Sequence, residues 1–304
     1  MARQDIRVLL RGDQRWLPIL ADELAEFGVT AGPMQGLRDS LCRLAFGAML
    51  HRWRANILHQ VFVHSWPDST LQWARRKGKK VVGHWIGSDV IELRRHVRAY
   101  GRPPEHLLRD FDVHLADSPQ LQQELASMGI ESTVVRLLPR RLEAEILPLP
   151  QRPAVLSYWQ DFRPQFYRAD LVMELARRFA DVPFYIVGAA GDGVSNPPPN
   201  VEFLGNVADM EPIYAKTTVL VRILEHDSLS AMVLEAIARG RYVMYSETFP
   251  HTFEVRTLEQ ASACLAQLRT QRQPNEAGAR HVRENFSWRN ELKRLTEIYQ
   301  ALTA

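Results

Sequence analysis

HDSLSAMVLEAIARG, residues 226–240, lies between two β-rich runs, TVLVRIL before it and YVMYS after it. A strand, a helix closed by Gly240 and a second strand form the repeating unit of a parallel sheet. The helix is predicted to start near Leu229, with Asp227 or Ser228 as its cap. Its unpaired N–H groups and positive dipole end then face the carboxyl ends of the strands, where a phosphate or pyrophosphate is favoured. Glu235 follows Asp227 by eight residues, about 12 Å at the helical rise, within reach of another part of one extended ligand. An acid on an otherwise apolar helix face is costly unless it is paired or serves a ligand. The plainer alternative makes Asp227 only an N-cap and pairs Glu235 with Arg239 one turn later.

The same alternation extends outward in both directions. IRVLL, ILHQVFVH, KVVGHWIG and DVHLADS read as strands, and LPILADELAEFG, STLQWARRKG and PQLQQELASMG as helices. Prolines 148, 150 and 153 interrupt regular structure, which marks a linker. Beyond it come AVLSYW, a helix from about Ala169, PFYIVG, NVEFLG and a short helix around MEPIYAK. The fold class is therefore α/β, two doubly wound domains with a ligand site expected beside the strand carboxyl ends. The expected divisions are 1–148, 149–284 and a C-terminal helix, 285–304, packing back toward the first domain.

At 304 residues the chain is long enough for two such cores. A formal net charge of +3 gives no sign of a nucleic-acid binder. The two cysteines, Cys42 and Cys264, are far apart and lack partners at metal spacing, so neither a disulfide framework nor a zinc site is expected. MARQDIRVLLRGDQR makes a poor signal peptide, and no run reaches membrane-spanning length. The expectation is a cytoplasmic protein, with peripheral contact at the inner membrane face as a further option.

The run VEFLGNVADMEPIYAKTTVLVRILEHDSLSAMVLEAIARGRYVMYS resembles the donor-binding half of retaining GT-B glycosyltransferases of the family 4 type. Those enzymes carry two acids separated by seven residues, then a small-residue helix, a glycine and a strand; Asp227 and Glu235 match the acids, and Ala236, Ala238 and Gly240 the helix end. FSW at 286–288 and Tyr299 look like the family's closing helix, and VVGHWIGSDV is similar to its first domain. The resemblance implies the GT-B fold and a nucleotide-diphosphate sugar as donor, a UDP- or GDP-sugar. It implies that Glu235 accepts from the ribose hydroxyls, that Asp227 lies near the donor sugar, and that Ser228, Leu229 and Ser230 present backbone N–H groups to phosphate or sugar oxygens. The chain departs from the pattern twice. Asp227 is followed by Ser-Leu-Ser where the family has a glycine-containing turn, and Tyr167 stands where a diphosphate-binding Lys is usual.

Arg163 and Arg168 are the cations near that Lys position, either phosphate ligands or solvated surface residues. His84, Gly87, Ser88 and Asp89 follow a predicted strand. They could line the acceptor side, with His84 in a catalytic or sugar-contacting role; equally, His84 could be structural and Asp89 a helix cap. RGDQRW, 11–16, offers Gly12 for close approach to the donor and lacks the three-glycine dinucleotide fingerprint. GAAGDGVSNPPPN, 188–200, starting at Gly188, is either a loop around the nucleotide base or a surface loop. RRKGKK, 75–80, is either a solvated helix end or an anionic-surface contact.

The reading that follows is retaining glycosyl transfer to an acceptor hydroxyl on a glycan, lipid-linked or small-molecule acceptor, in glycan or polysaccharide biosynthesis. No cofactor or metal is required, since no metal-ligand cluster stands out. A nucleotide-sugar epimerase, a non-catalytic partner and a two-lobed sugar- or nucleotide-binding protein are the rivals, and the oligomeric state is open.

Overall fold

The computed structural model describes residues 5–12, 17–33, 54–138 and 142–304. They divide into two compact units: Met1–Pro139 together with Trp288–Ala304, and Arg140–Ser287.

The first unit runs β1 (Arg7–Gly12), α1 (Leu17–Ala25), β2 (Thr30–Pro33), β3 (Ile57–Val61), α2 (Ser69–Arg76), β4 (Lys80–Trp85), α3 (Ser88–Tyr100), α4 (Glu105–Arg109), β5 (Val113–Ala116), α5 (Pro119–Ser127) and β6 (Thr133–Val134). Its strands form one parallel sheet in the order β2-β1-β3-β4-β5-β6. A strand covered on both faces is buried at every position rather than at alternate ones, and ILHQV of β3 is, including its polar His59 and Gln60. Local signals set the helix limits. Asp68 caps α2 by accepting from the Thr70 amide at 2.7 Å, and Ser118 caps α5 ahead of Pro119. Gly101 closes α3 in the left-handed region, at φ 74°. Trp85, Val90, Leu93 and Leu121 are in its core.

The second unit runs β7 (Val155–Tyr158), α6 (Ala169–Arg178), β8 (Phe184–Val187), β9 (Val201–Gly205), α7 (Glu211–Lys216), β10 (Val219–Arg222), α8 (Ala231–Ala238), β11 (Tyr242–Tyr245), β12 (Phe253–Glu254), α9 (Leu258–Leu268) and α10 (Glu276–Asn285). Its sheet is again wholly parallel, in the order β12-β11-β10-β7-β8-β9. The unit starts ahead of the proline-rich stretch because Arg241 gathers that stretch in. Its buried guanidinium donates to the carbonyls of Leu147, Pro148 and Thr217, and the Leu147 amide donates to the Arg239 carbonyl at 3.1 Å. Burial lowers the Arg241 pKa to about 10.

The last helix, α11 (Trp288–Thr303), belongs to the first unit. It buries Trp288, Leu292, Leu295 and Tyr299 there, and Glu291 receives the Arg136 guanidinium at 2.9 Å. No helix among the described residues is long and apolar enough to cross a membrane.

Candidate functional site

In the second unit the strand order reverses at β7, which lies between β10 and β8. Ligands of open parallel sheets bind outside the strand carboxyl ends at such a reversal. The side chains there are Tyr158 at the end of β7, Arg222 at the end of β10 and Tyr245 at the end of β11, in register with Arg222. Arg222 Nε donates to Asp227 Oδ2 at 3.2 Å, and both side chains are nearly buried, 12% and 13% exposed. The guanidinium carbon lies 5.3 Å from the Tyr158 ring centre and 5.5 Å from that of Tyr167. Burial is the largest influence and opposes the Arg222 charge, but Asp227 together with Tyr245 and Tyr167 outweighs it and the pKa is raised. The Tyr245 hydroxyl is pushed well up, first by burial and then by the Asp227 charge.

This arrangement revises the reading of the quoted stretch. The helix begins at Ala231, not Leu229, with Ser230 at the cap position and no side-chain capping bond. Asp227 is not the cap: one oxygen is held by Arg222 and the other accepts from the Ser228 amide at 3.0 Å. Ser228, Leu229 and Ser230 form a half-buried, non-helical link, so the 12 Å helical spacing does not apply between the two acids. Glu235 is 2% exposed, and its Oε2 accepts from the Tyr214 hydroxyl at 2.8 Å. Arg239 Nε donates to both oxygens of Glu211 at 2.9 Å, and its Nη1 donates to the Glu235 carbonyl at 3.0 Å.

The remaining donor-side candidates separate. Arg163 lies with its guanidinium 4.5 Å from the Phe166 ring centre, near the tyrosine pair. Arg168 precedes α6 at φ 48° with Nε 3.6 Å from Asp170, half-exposed. Gly188 answers a packing demand: at φ 88° a Cβ would stand 2.5 Å from the Tyr158 ring and 2.6 Å from the Trp159 carbonyl oxygen. In the 188–200 loop, the Ala190 amide donates to Asp161 at 2.8 Å.

In the first unit the order reverses between β1 and β3. Gly12 is there, but a Cβ on it would stand 1.5 Å from the Val61 oxygen, so the closeness of β3 already requires glycine. Asp13 to Trp16 of RGDQRW lie outside the described residues, as does Cys42. His84 is fully buried in β4. Its Nε2 can only donate to the Val135 carbonyl, at 2.8 Å, so a neutral ring leaves Nδ1 to accept from His59 Nε2 at 3.2 Å. His59 Nδ1 in turn accepts from the Tyr299 hydroxyl at 2.5 Å. Burial lowers the His84 pKa to about 4 and that of His59 well below its usual value. Gly87 precedes α3 at φ 128° and Ser88 opens the helix. Asp89 is sealed in, accepting from the amides of Val63, Ile86, Gly87 and Val90 at 2.9–3.2 Å; burial lifts its pKa to about 6 against those bonds.

The sequence reading missed a group beside that reversal. Arg11 donates to Asp68 at 2.6 Å and to Gln60 at 3.0 Å. Phe62, a non-glycine residue, is held at φ 72° by Gln60 donating to its carbonyl and by its own amide donating to the His84 carbonyl. The His64 ring stacks at 4.3 Å on Trp66, which is 54% exposed. His64 Nδ1 and Ser65 Oγ are buried without a hydrogen-bond partner among the described residues. The only local signal for this group was the tryptophan and proline just before the α2 cap. The sequence also spells Asp110-Phe111-Asp112, an acid pair that the sequence reading passed over. Asp112 accepts from Arg75 and from the Val81 amide at 2.8 Å, and Asp110 accepts from Arg109 at 2.8 Å. Among the described residues, no group of three or more His, Cys, Asp or Glu side chains is placed to hold a metal ion.

Solved structures share the fold of this chain. The sucrose-phosphate synthase from Thermosynechococcus elongatus superposes with a TM-score of 0.69 at 13% identity, over 98% of this chain and 99% of that one. A glycosyltransferase from Rickettsia africae gives 0.65 at 13% identity, over 99% of both chains. HepE of Anabaena, in complex with UDP-glucose, gives 0.65 at 12% identity, over 97% and 99%. The fold is GT-B. At these identities the likeness establishes the GT-B fold and nothing finer. No protein-family model matches the chain, nor does any curated protein sequence.

Proposed function

We propose that this GT-B chain is a glycosyltransferase that takes its sugar from a nucleotide diphosphate, with the donor held by the second unit. One observation carries the reading. The reversal at β7 and β10 has a nearly buried arginine, Arg222, paired with Asp227 on the link that leads into α8. A cation and the positive end of a helix at a strand-end reversal suit a diphosphate. The solved HepE structure with UDP-glucose supports a nucleotide sugar as the ligand class.

On this reading Glu235 receives ribose hydroxyls beside Tyr214, the Ser228–Ser230 amides face phosphate or sugar oxygens, and Arg163 and Arg168 approach the diphosphate. Asp227 lies near the donor sugar and the loop from Gly188 borders the base. The acceptor side, with Gly87, Ser88 and His84, falls to the first unit. There the burial of His84 and Asp89 favours positioning over contact. Gly12, constrained by β3, is assigned to the fold rather than to the donor. The resemblance in the sequence supports retention of configuration, family 4 character, metal independence, a UDP- or GDP-sugar and a glycan, lipid-linked or small-molecule acceptor. A role in polysaccharide biosynthesis and a cytoplasmic setting, with peripheral membrane contact, belong to the same proposal.

The test is thermal stabilisation by UDP, GDP, ADP and CMP and their sugars, beside Glu235→Ala. One nucleotide that raises the melting temperature of the wild type and not of the variant supports the site, since a ligand that binds only the folded state must stabilise it. Product anomeric configuration then decides retention. The engagement of Asp227 by Arg222 favours one rival, a non-catalytic nucleotide-sugar-binding partner. That rival binds the nucleotide without turnover, whereas an epimerase converts the sugar without an acceptor.

A further inference from the structure

The turn after β7 lacks the usual lysine and offers only partly exposed arginines, one of them beside Asp170. A buried cation stands elsewhere, on β10. Arg222 ends that strand at the sheet reversal, its plane near the Tyr158 and Tyr167 rings and its charge balanced by Asp227. Burying a lone arginine is costly, so some anion must accompany it at all times. Asp227 is suited to be that anion in the unliganded state. It belongs to the non-helical link before α8, not to the helix, and makes no capping bond to α8.

We propose that Arg222 is the residue that grips the donor's diphosphate, and that Asp227 is its resident counter-ion, displaced when phosphate oxygens take its place. This rests on the nucleotide-sugar reading of the second unit and names the cation that the sequence reading did not find. The exchange puts phosphate oxygens in place of a carboxylate at a guanidinium that stays in place, so the arginine is never left without an anion. The guanidinium fork presents two N–H groups to two phosphate oxygens, a geometry that an ammonium cannot reproduce. Asp227, once released, is free to turn to the donor sugar, which reconciles its present ion pair with the role that the two-acid spacing gave it.

Calorimetric titrations of inorganic pyrophosphate, UDP, GDP, uridine and guanosine into the wild type, R222Q, R222K, D227N and R222Q/D227N test this. R222Q is expected to weaken pyrophosphate and the bound nucleoside diphosphate by about 10- to 100-fold, the effect of losing a charge-assisted bidentate contact, while leaving the free nucleoside unchanged. R222K is expected to fall between. D227N is expected to tighten pyrophosphate and the diphosphate, because the competing carboxylate is gone. A purely structural ion pair would give no such gain. The double variant removes both charges and guards against a misfolded R222Q, whose Asp227 is left unbalanced; it should bind diphosphates as weakly as R222Q with a normal melting transition. Equal UDP or GDP affinity in wild type, R222Q and the double variant would overturn the role of Arg222 and leave the donor reading intact. Weaker diphosphate binding by D227N would overturn the exchange. A wild type that binds neither pyrophosphate nor either nucleoside diphosphate would overturn both the proposal and the donor reading.

Discussion

Two histidines in the first unit show how a residue's surroundings replace its usual chemistry. His84 invites a functional role by its place after a strand, yet it sits in a one-way chain: Tyr299 donates to His59, His59 to His84, and His84 to the Val135 carbonyl. The chain exists only if both rings are neutral, in accord with their lowered pKa values. At His84 the unfolded state therefore binds more protons than the folded state between about pH 4 and pH 6.5. Stability from His84 is fully present above that value, is lost as pH falls towards about 4, and then levels off. Asp89 and Asp117, raised to about 6 and about 7, act with the opposite sign over part of this range, so the wild-type profile alone conceals the effect. The difference between wild type and His84→Gln isolates it. The cost of that substitution in urea unfolding should shrink by about 2 kcal/mol between pH 7 and pH 5. A cost that is the same at both values would mean that the His84 ring is not shielded from protonation in the folded state.

At the scale of elements, the loop that begins at Gly188 ends in a structural device. The Asn200 amide donates to the carbonyls of Ala176 and Phe179, near the end of α6, and of Val182, just before β8, at 2.7–3.1 Å. Carbonyls at a helix end have no partner within the helix, and this one side chain serves a helix end and the connection to the next strand together. Asn200→Ala should cost about 2 kcal/mol of stability in the second unit, the scale of several neutral hydrogen bonds lost at a partly buried site. Nucleoside diphosphate affinity should be retained, since the residue is at the opposite end of β8 from the strand-end site. Calorimetric melting with and without UDP and GDP measures both. The strands that the sequence reading passed over, β2, β6 and β12, are short edge strands, one of them reading Thr-Ala-Gly-Pro. Glycine and proline carry no strand signal, and a two-residue strand has no periodicity to detect.

At the scale of the whole molecule, each unit has its own sheet, but the chain returns to the first unit for its last helix. Trp288, Leu295 and Tyr299 of α11 are fully buried there, and Arg289 reaches Glu26 on the segment after α1 at 3.4 Å. Truncation after Ser287 should therefore loosen the first unit and leave the second folded. Hydrogen exchange should show protection lost across β1, β3 and α1 and kept across β7, β10 and β11; uniform protection would count against this division of the core. The sequence by itself determined the two α/β halves, the strand–helix–strand around 226–240 and the pairing of Asp227 with Glu235 as notable acids. Those follow from apolar runs, turn residues and spacing, which are properties of neighbours along the chain. Only the tertiary structure decided that Asp227 is held by Arg222, that Glu235 lies under Tyr214, that Asp89 is sealed among amides, and that Arg11, His64 and Trp66 gather at the other reversal. Arg222 reads as one polar letter in TVLVRIL. It becomes a buried cation only when parallel pairing sets β10 beside β7 and brings the rings of Tyr158 and Tyr167 around it, since burial and counter-charge arise from residues distant in sequence.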